Sequence, residues 1–306
     1  MKTLLCLAIG VSMSCQATPQ EAIPSTPQRI ASGGCAGGTF TDTLAGYTAR
    51  IHRPPGMLGR LPTIVVLHGA GDTGAFVQRQ SQMDRLSDAE GFMTVYPTGP
   101  ASGWRLNRGA AKSLKRIASA IDCADNSRVY LTGFSRGAAM TFNVACTPHP
   151  VFAAYGGVAF PDYRPRCEDA PPAPIVYLHG TKDDSVSFSD GHERPNGSPT
   201  PPALLAMRRW ATHNGCRKMP TATTIGSDVV LRKWARCQQE ATIEFYTIKG
   251  GGHQWPFRAI PAAPLLEPGQ SWAAVGADEV MWTFFKSRSL SPTHLPSNPG
   301  SARVTP

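Results

Sequence analysis

Ser135 lies in Gly133-Phe134-Ser135-Arg136-Gly137, after the apolar run Val129-Tyr130-Leu131-Thr132 and ahead of Arg136-Gly-Ala-Ala-Met-Thr-Phe-Asn-Val-Ala-Cys146, which reads as a helix. A serine on a sharp strand-to-helix turn exposes its hydroxyl as a nucleophile, and such a turn needs small residues two places before and two after it so that neighbouring backbone can pass. Gly133 and Gly137 meet that need. Free N–H groups in the first turn of the following helix point to where a carbonyl oxygen would gather negative charge, so the chemistry on offer is acyl transfer through a covalent intermediate. Glycine is abundant, 30 of 306 residues, so the pentapeptide takes its weight from the strand before it and the helix after it.

Such a serine needs a base, and the base needs an orienting acid. The order Ser, acid, His is available downstream. Pro174-Ile-Val-Tyr-Leu-His179-Gly180 is a short apolar run ending in a turn, followed by Thr181-Lys-Asp183-Asp184, and an acid just past a buried parallel strand lies on the edge where such sheets place their sites. Asp183 is the expected acid and Asp184 the reserve; the competing reading of Asp183 is a turn cap. Thr242-Ile-Glu-Phe-Tyr-Thr-Ile-Lys249 alternates like a strand and opens into Gly250-Gly-Gly-His253-Gln-Trp255-Pro256, where three glycines let the loop bring His253 to Ser135. His68 and His179 each precede a glycine at a strand end, where an imidazole braces a turn more often than it does chemistry. The backbone N–H groups of Ala70, after the strand Thr63–Leu67, and of Arg136 are the expected oxyanion donors. Trp255, beside the base, is read either as a platform for an aromatic acyl group or sugar ring or as a buried structural residue, and Trp104 is a second platform candidate.

The elements that must position these groups alternate as a parallel sheet requires. Strands are expected at Thr63–Leu67, Met93–Tyr96, Arg128–Thr132, Ala153–Val158, Ile175–Leu178 and Ile243–Ile248, with antiparallel edge strands before Thr63. Helices are expected near Ala75–Ala89, Leu106–Ile121, Arg136–Cys146, Pro202–His213 and Gly276–Arg288.

Val66-Leu-His-Gly-Ala-Gly-Asp-Thr-Gly-Ala-Phe76, Met83-Asp-Arg-Leu-Ser-Asp-Ala-Glu-Gly-Phe-Met-Thr-Val-Tyr-Pro97, the Ser135 turn, His179-Gly-Thr-Lys-Asp183 and Gly251-Gly-His-Gln-Trp-Pro256 follow one another in a way that resembles the secreted esterase/polyhydroxybutyrate depolymerase family. The resemblance spans residues 38–288. It implies an α/β-hydrolase fold with a mostly parallel central sheet flanked by helices, and a Ser135–His253–Asp183 triad. The Gly-Gly-His-x-Trp-Pro form looks more like the feruloyl esterase branch, which implies feruloyl or acetyl esters of plant cell-wall polysaccharide as substrates. Hydroxyalkanoate polyesters, or a binding role without catalysis, are the alternatives. Against the family pattern the chain is short between Trp104 and Arg128, and carries Arg136 where asparagine is commoner. Sequence order and the resemblance imply disulfides Cys146–Cys167 and Cys216–Cys237, leaving Cys35 for Cys123.

Composition agrees with export of one catalytic domain. Residues 1–17 pair a charged start with a short apolar core, as a signal peptide does; the rival reading makes Cys15 a lipid anchor. Residues 18–37 and 289–306 have linker or tail composition, and Asn196-Gly-Ser198 is a glycosylation sequon. Eight cysteines less Cys6 and Cys15 leave an even set, none in metal-ligand spacing. Thirty basic against twenty-one acidic residues give a net charge of +9. Arg105, Arg108, Lys112, Lys115 and Arg116 share a helical face that is either simply solvated or attracts an anionic polymer. No nucleic-acid motif accompanies this charge. No phosphate loop or metal motif appears, so no cofactor is implied, and no apolar run is long enough to span a membrane.

Overall fold

The computed structural model describes residues 35–101, 103–162, 167–190, 200–258 and 270–291. The expected leader with Cys15, most of the linker, the Asn196 sequon and the tail beyond residue 291 lie outside the described residues. Ten strands form one sheet: β1 Gly38–Leu44, β2 Tyr47–Arg53, β3 Leu61–Leu67, β4 Met93–Pro97, β5 Ala124–Gly133, β6 Ala154–Val158, β7 Ile175–Gly180, β8 Thr221–Ile225, β9 Val229–Trp234 and β10 Ile243–Ile248. Their order is β1-β2-β4-β3-β5-β6-β7-β10-β9-β8. The strands from β4 to β10 in that order run parallel, and antiparallel pairs close both edges. The order reverses between β4-β3 and β3-β5, and sites in such sheets form outside the C-terminal ends of strands near that reversal.

The central strands are buried on both faces, which is why they read as near-continuous apolar runs. Alternation along β3 sends Val65 and Leu67 to one core and Ile64 and Val66 to the other. The first core lies under α3 (Arg108–Ala120), α4 (Arg136–Ala145) and α5 (Ala203–His213); the second lies under α1 (Gly74–Ser81), α2 (Met83–Glu90) and α6 (Ala277–Phe285). Each buried aliphatic or phenyl side chain contributes about 1.5–3 kcal/mol, so the two cores hold the three layers together. In α3, Asn107 caps the first turn by accepting from the Ala110 N–H, while Ala111, Leu114, Ile117 and Ala118 face the core. The opposite face carries four of the five expected basic residues, Arg105 falling before the helix begins; Lys115 is tied to the Pro148 and His149 carbonyls and Arg108 lies 3.8 Å from Asp169.

Three features differ from expectation. The single helix expected over Ala75–Ala89 is broken at Gln82, whose φ of 49° puts it in the left-handed region and lets its N–H close α1 on the Gln78 carbonyl. The β8–β9 hairpin was not anticipated, because β8 is exposed along most of its length and lacks the alternation that marks a half-buried strand. A short parallel pair, β11 (Trp255–Arg258) with β12 (Gln270–Ala273), follows the His253 loop. Disulfides join Cys35 to Cys123, Cys146 to Cys167 and Cys216 to Cys237.

Asp278, in the first turn of α6, is 2 % exposed, and burial pushes its carboxyl up to about 6 against an ordinary 3.8, with the Glu279 N–H opposing the shift. A carboxyl whose folded value is raised weakens the fold as pH climbs through that value and has no effect once protonated in both states. Asp278→Asn is therefore expected to stabilise the protein at pH 8 by roughly 1–3 kcal/mol, and to leave it nearly unchanged at about pH 3, below both values. Equal shifts of the thermal midpoint at the two pH values would contradict this assignment.

Candidate active site

Ser135 stands between the end of β5 and the start of α4 with φ 52° and ψ −121°. A non-glycine residue held there costs on the order of 1–3 kcal/mol and persists only where its surroundings fix it. Here the Phe134 N–H donates to the Leu67 carbonyl at 3.0 Å and the Ser135 N–H to the Val158 carbonyl at 2.8 Å, so the strands on either side hold the turn. A Cβ on Gly137 would lie 2.3 Å from the Leu67 carbonyl oxygen, and one on Gly133 would lie 2.5 Å from the Gly137 carbonyl carbon. Both glycines are demanded by backbone passing close.

Asp183 follows β7 and His253 follows β10, the neighbouring strand. His253 Nε2 lies 2.9 Å from Ser135 Oγ, and its Nδ1 lies 2.8 Å from Asp183 Oδ2. The Asp183 carboxylate is fully buried and every side of it is met by a donor. Oδ1 accepts the Ser185 N–H at 3.0 Å and the Val186 N–H at 2.8 Å. Oδ2 accepts from His253 and from His179 Nε2 at 3.0 Å. Burial alone would raise its pKa, but hydrogen bonds from His179 and His253 and their charges outweigh that and hold it well below the usual carboxylate range. Because the folded value is depressed, this carboxylate contributes stability that is complete above about pH 4 and is lost as pH falls towards the folded value. Asp184, the reserve acid, is exposed and plays no part in this array.

The loop after β3 lies alongside Ser135: a Cβ on Gly69 would sit 3.7 Å from Ser135 Cβ. Gly103 bridges the two expected oxyanion donors, its Cβ position lying 3.8 Å from Ala70 Cα and 3.7 Å from Arg136 Cγ. His68 holds this loop as a turn brace. Its Nε2 accepts the Gly99 N–H at 2.9 Å, which places the proton on Nδ1, 2.7 Å from the Gly69 carbonyl; burial lowers its pKa and keeps it neutral. Asp72, which the sequence reading passed over, lies on the same loop with its Oδ2 2.7 Å from the Gly69 Cβ position, its carboxyl raised by burial and opposed by His68 and His253.

The two tryptophans read as substrate platforms are placed otherwise. Trp255 is 0 % exposed and Trp104 2 %. Trp104 donates Nε1–H to the His68 carbonyl at 2.9 Å and packs on the His68 ring, while Trp255 belongs to the second core. The large apolar area of each indole is satisfied inside, so neither offers a face to a bound ring.

A mostly parallel sheet with a serine on a strained strand-to-helix turn, hydrogen-bonded to a histidine and through it to an aspartate from later strands, is the architecture of an α/β hydrolase. The chain belongs to that family: the profile of the Alpha/beta hydrolase family matches residues 64–266. Among its relatives is the bifunctional acetylxylan esterase/xylanase XynS20E of Neocallimastix patriciarum, 26 % identical over 68 % of this chain and 31 % of that protein. Another is poly(3-hydroxyalkanoate) depolymerase C of Paucimonas lemoignei, 25 % identical over 67 % of this chain and 58 % of the depolymerase. The chain thus spans about a third of the first and just over half of the second. Its fold matches the solved acetyl xylan esterase from Aspergillus awamori with a TM-score of 0.56 at 19 % identity, covering 71 % of this chain and 94 % of that one.

Proposed function

We propose that residues 38–288 form a serine carboxylic ester hydrolase, with Ser135 as nucleophile, His253 as general base and acid, and Asp183 as the acid that orients it. The observation that carries this reading is the pair of hydrogen bonds at His253, 2.9 Å to Ser135 Oγ and 2.8 Å to Asp183 Oδ2. With Nδ1–H donated to Asp183, Nε2 is left with its lone pair towards the serine hydroxyl, the tautomer a general base requires. Ser135 Oγ attacks the ester carbonyl as its proton passes to Nε2. The backbone N–H groups of Ala70 and Arg136 stabilise the tetrahedral oxyanion, and Nε2–H protonates the departing alcohol. Water then repeats the attack on the acyl-enzyme, with His253 again taking the proton, and frees the carboxylic acid.

For substrate we infer acetyl or feruloyl esters of plant cell-wall polysaccharide, supported by the Gly-Gly-His-x-Trp-Pro motif and the acetylxylan esterase relative. Three disulfides favour an oxidising compartment and hence an exported enzyme. The depolymerase relative favours a second reading, cleavage of hydroxyalkanoate polyester. Release of acetate from acetylated xylan or ferulate from methyl ferulate, set against release of hydroxybutyrate oligomers from polymer, decides between them. A folded protein inert on all three and on p-nitrophenyl acetate would return the chain to a binding role.

A further inference from the structure

His179 is fully buried, and its surroundings fix which nitrogen holds the proton. Nε2 lies 3.0 Å from Asp183 Oδ2 and 3.0 Å from the Val186 carbonyl, both acceptors, so Nε2 carries hydrogen and donates. Nδ1 lies 2.8 Å from the Tyr177 hydroxyl. Burial and the Asp183 charge keep that phenol protonated, so it has a hydrogen to give and Nδ1 is its acceptor. Tyr177, His179, Asp183, His253 and Ser135 thus form one continuous chain of hydrogen bonds, of which the first two members lie behind the acid and away from the nucleophile.

We propose that His179 is a positioning residue that sets the basicity of His253 through their shared acceptor, Asp183 Oδ2. This rests on the ester hydrolase reading. An oxygen that accepts one N–H has less electron density to offer a second. Donation from His179 therefore weakens the pull of Asp183 on the His253 proton and lowers the stability of the His253 imidazolium. The same donation pins Oδ2, while the Ser185 and Val186 N–H groups pin Oδ1. Among the described residues the other groups that face His253 are Ser135 at Nε2, the Phe134 ring at 4.9 Å and the carboxyl of Asp72. None of these touches Oδ2, so their contribution stays constant when His179 is changed.

The test is the titration of the His253 imidazole, followed by nitrogen NMR in the full protein, together with the acidic limb of kcat/KM on p-nitrophenyl acetate. In His179→Phe both are expected to move up by roughly half to one pH unit, with kcat lowered. In His179→Gln, whose side-chain amide can donate to the same oxygen, both are expected to return towards wild type. A folded His179→Phe protein whose His253 titrates as in wild type overturns the proposal and leaves His179 a brace of the fold. Should His179→Phe not fold, Tyr177→Phe carries the test: it frees His179 Nδ1 and removes the lock on the ring, and a smaller shift in the same direction is expected. No shift in Tyr177→Phe overturns the proposal equally. Because the NMR titration needs no turnover, a wild-type protein without ester hydrolysis would sink the functional reading separately.

Discussion

Ser135→Ala is expected to lower kcat on p-nitrophenyl acetate by roughly 10⁵- to 10⁶-fold, the size of loss that follows removal of a triad nucleophile. Among the described residues nothing else in the site can substitute for it, since His253 Nε2 lies 2.9 Å from this hydroxyl and no other nucleophile there is hydrogen-bonded to His253. Alanine keeps the φ of 52° as well as serine does, so the thermal midpoint is expected to stay where it is. Ser135→Gly separates chemistry from strain. It loses the same activity, but glycine occupies the left-handed region freely, so it gains stability up to about 1–2 kcal/mol, less the entropy of a freer unfolded chain. Residual Ser135→Ala activity within tenfold of wild type would remove Ser135 from the mechanism. Ser135→Gly melting well below Ser135→Ala would show that the turn is not strained.

The second large effect is expected from a residue that contributes no side chain to the array. A Cβ on Gly180, at the end of β7, would lie 2.2 Å from the Gly251 carbonyl oxygen and 2.7 Å from that of Gly252. These are backbone atoms, so no rotamer change can relieve the overlap. Either the loop carrying His253 moves or the end of the strand carrying Asp183 does. Gly180→Ala is expected to cost about 3 kcal/mol or more by overpacking. Whatever folds should lose at least about 100-fold in kcat, the scale that follows a misplacement of about 1 Å. Differential scanning calorimetry and kcat on the same preparation check both parts. A midpoint and kcat within error of wild type would mean that the close approach of the two loops does not position the base.

Much of the site was legible in the sequence because its groups are tied to backbone geometry that leaves marks. Gly133 and Gly137 are required by atoms less than 3 Å away, Asp183 lies three residues past the end of a wholly buried strand, and the three glycines before His253 announce a loop in close contact with its neighbour. The parallel strands were readable for the same reason, since burial on both faces writes a continuous apolar run. What escaped depends on partners far away in sequence. His179 reads as a turn brace because the motif His-Gly does not reveal that Oδ2 of Asp183 will fall within 3.0 Å of its ring. Trp255 could be platform or core with equal right, as an indole satisfies either environment, and Trp104 reads as a second platform; only the packing settled both inside. Gln82 breaks a helix that periodicity alone would continue, and the exposed β8 carries no pattern at all.

Asp183 and His253 follow adjacent strands whose loops are stitched together. The Thr181 N–H donates to the Ile248 carbonyl at 2.9 Å, the Lys182 N–H to the Gly251 carbonyl at 2.8 Å and the Gly250 N–H to the Thr181 hydroxyl at 2.9 Å. Ser135 follows β5, with β6 between that strand and the pair. Thermal breathing of the sheet will therefore concentrate in one soft coordinate, the gap between the imidazole and the hydroxyl, while the imidazole and carboxylate travel together as one body. The amides of Thr181, Lys182 and Gly250 should accordingly exchange with solvent deuterium as one cooperative unit, and temperature should tune the reaction chiefly through how often that single gap closes.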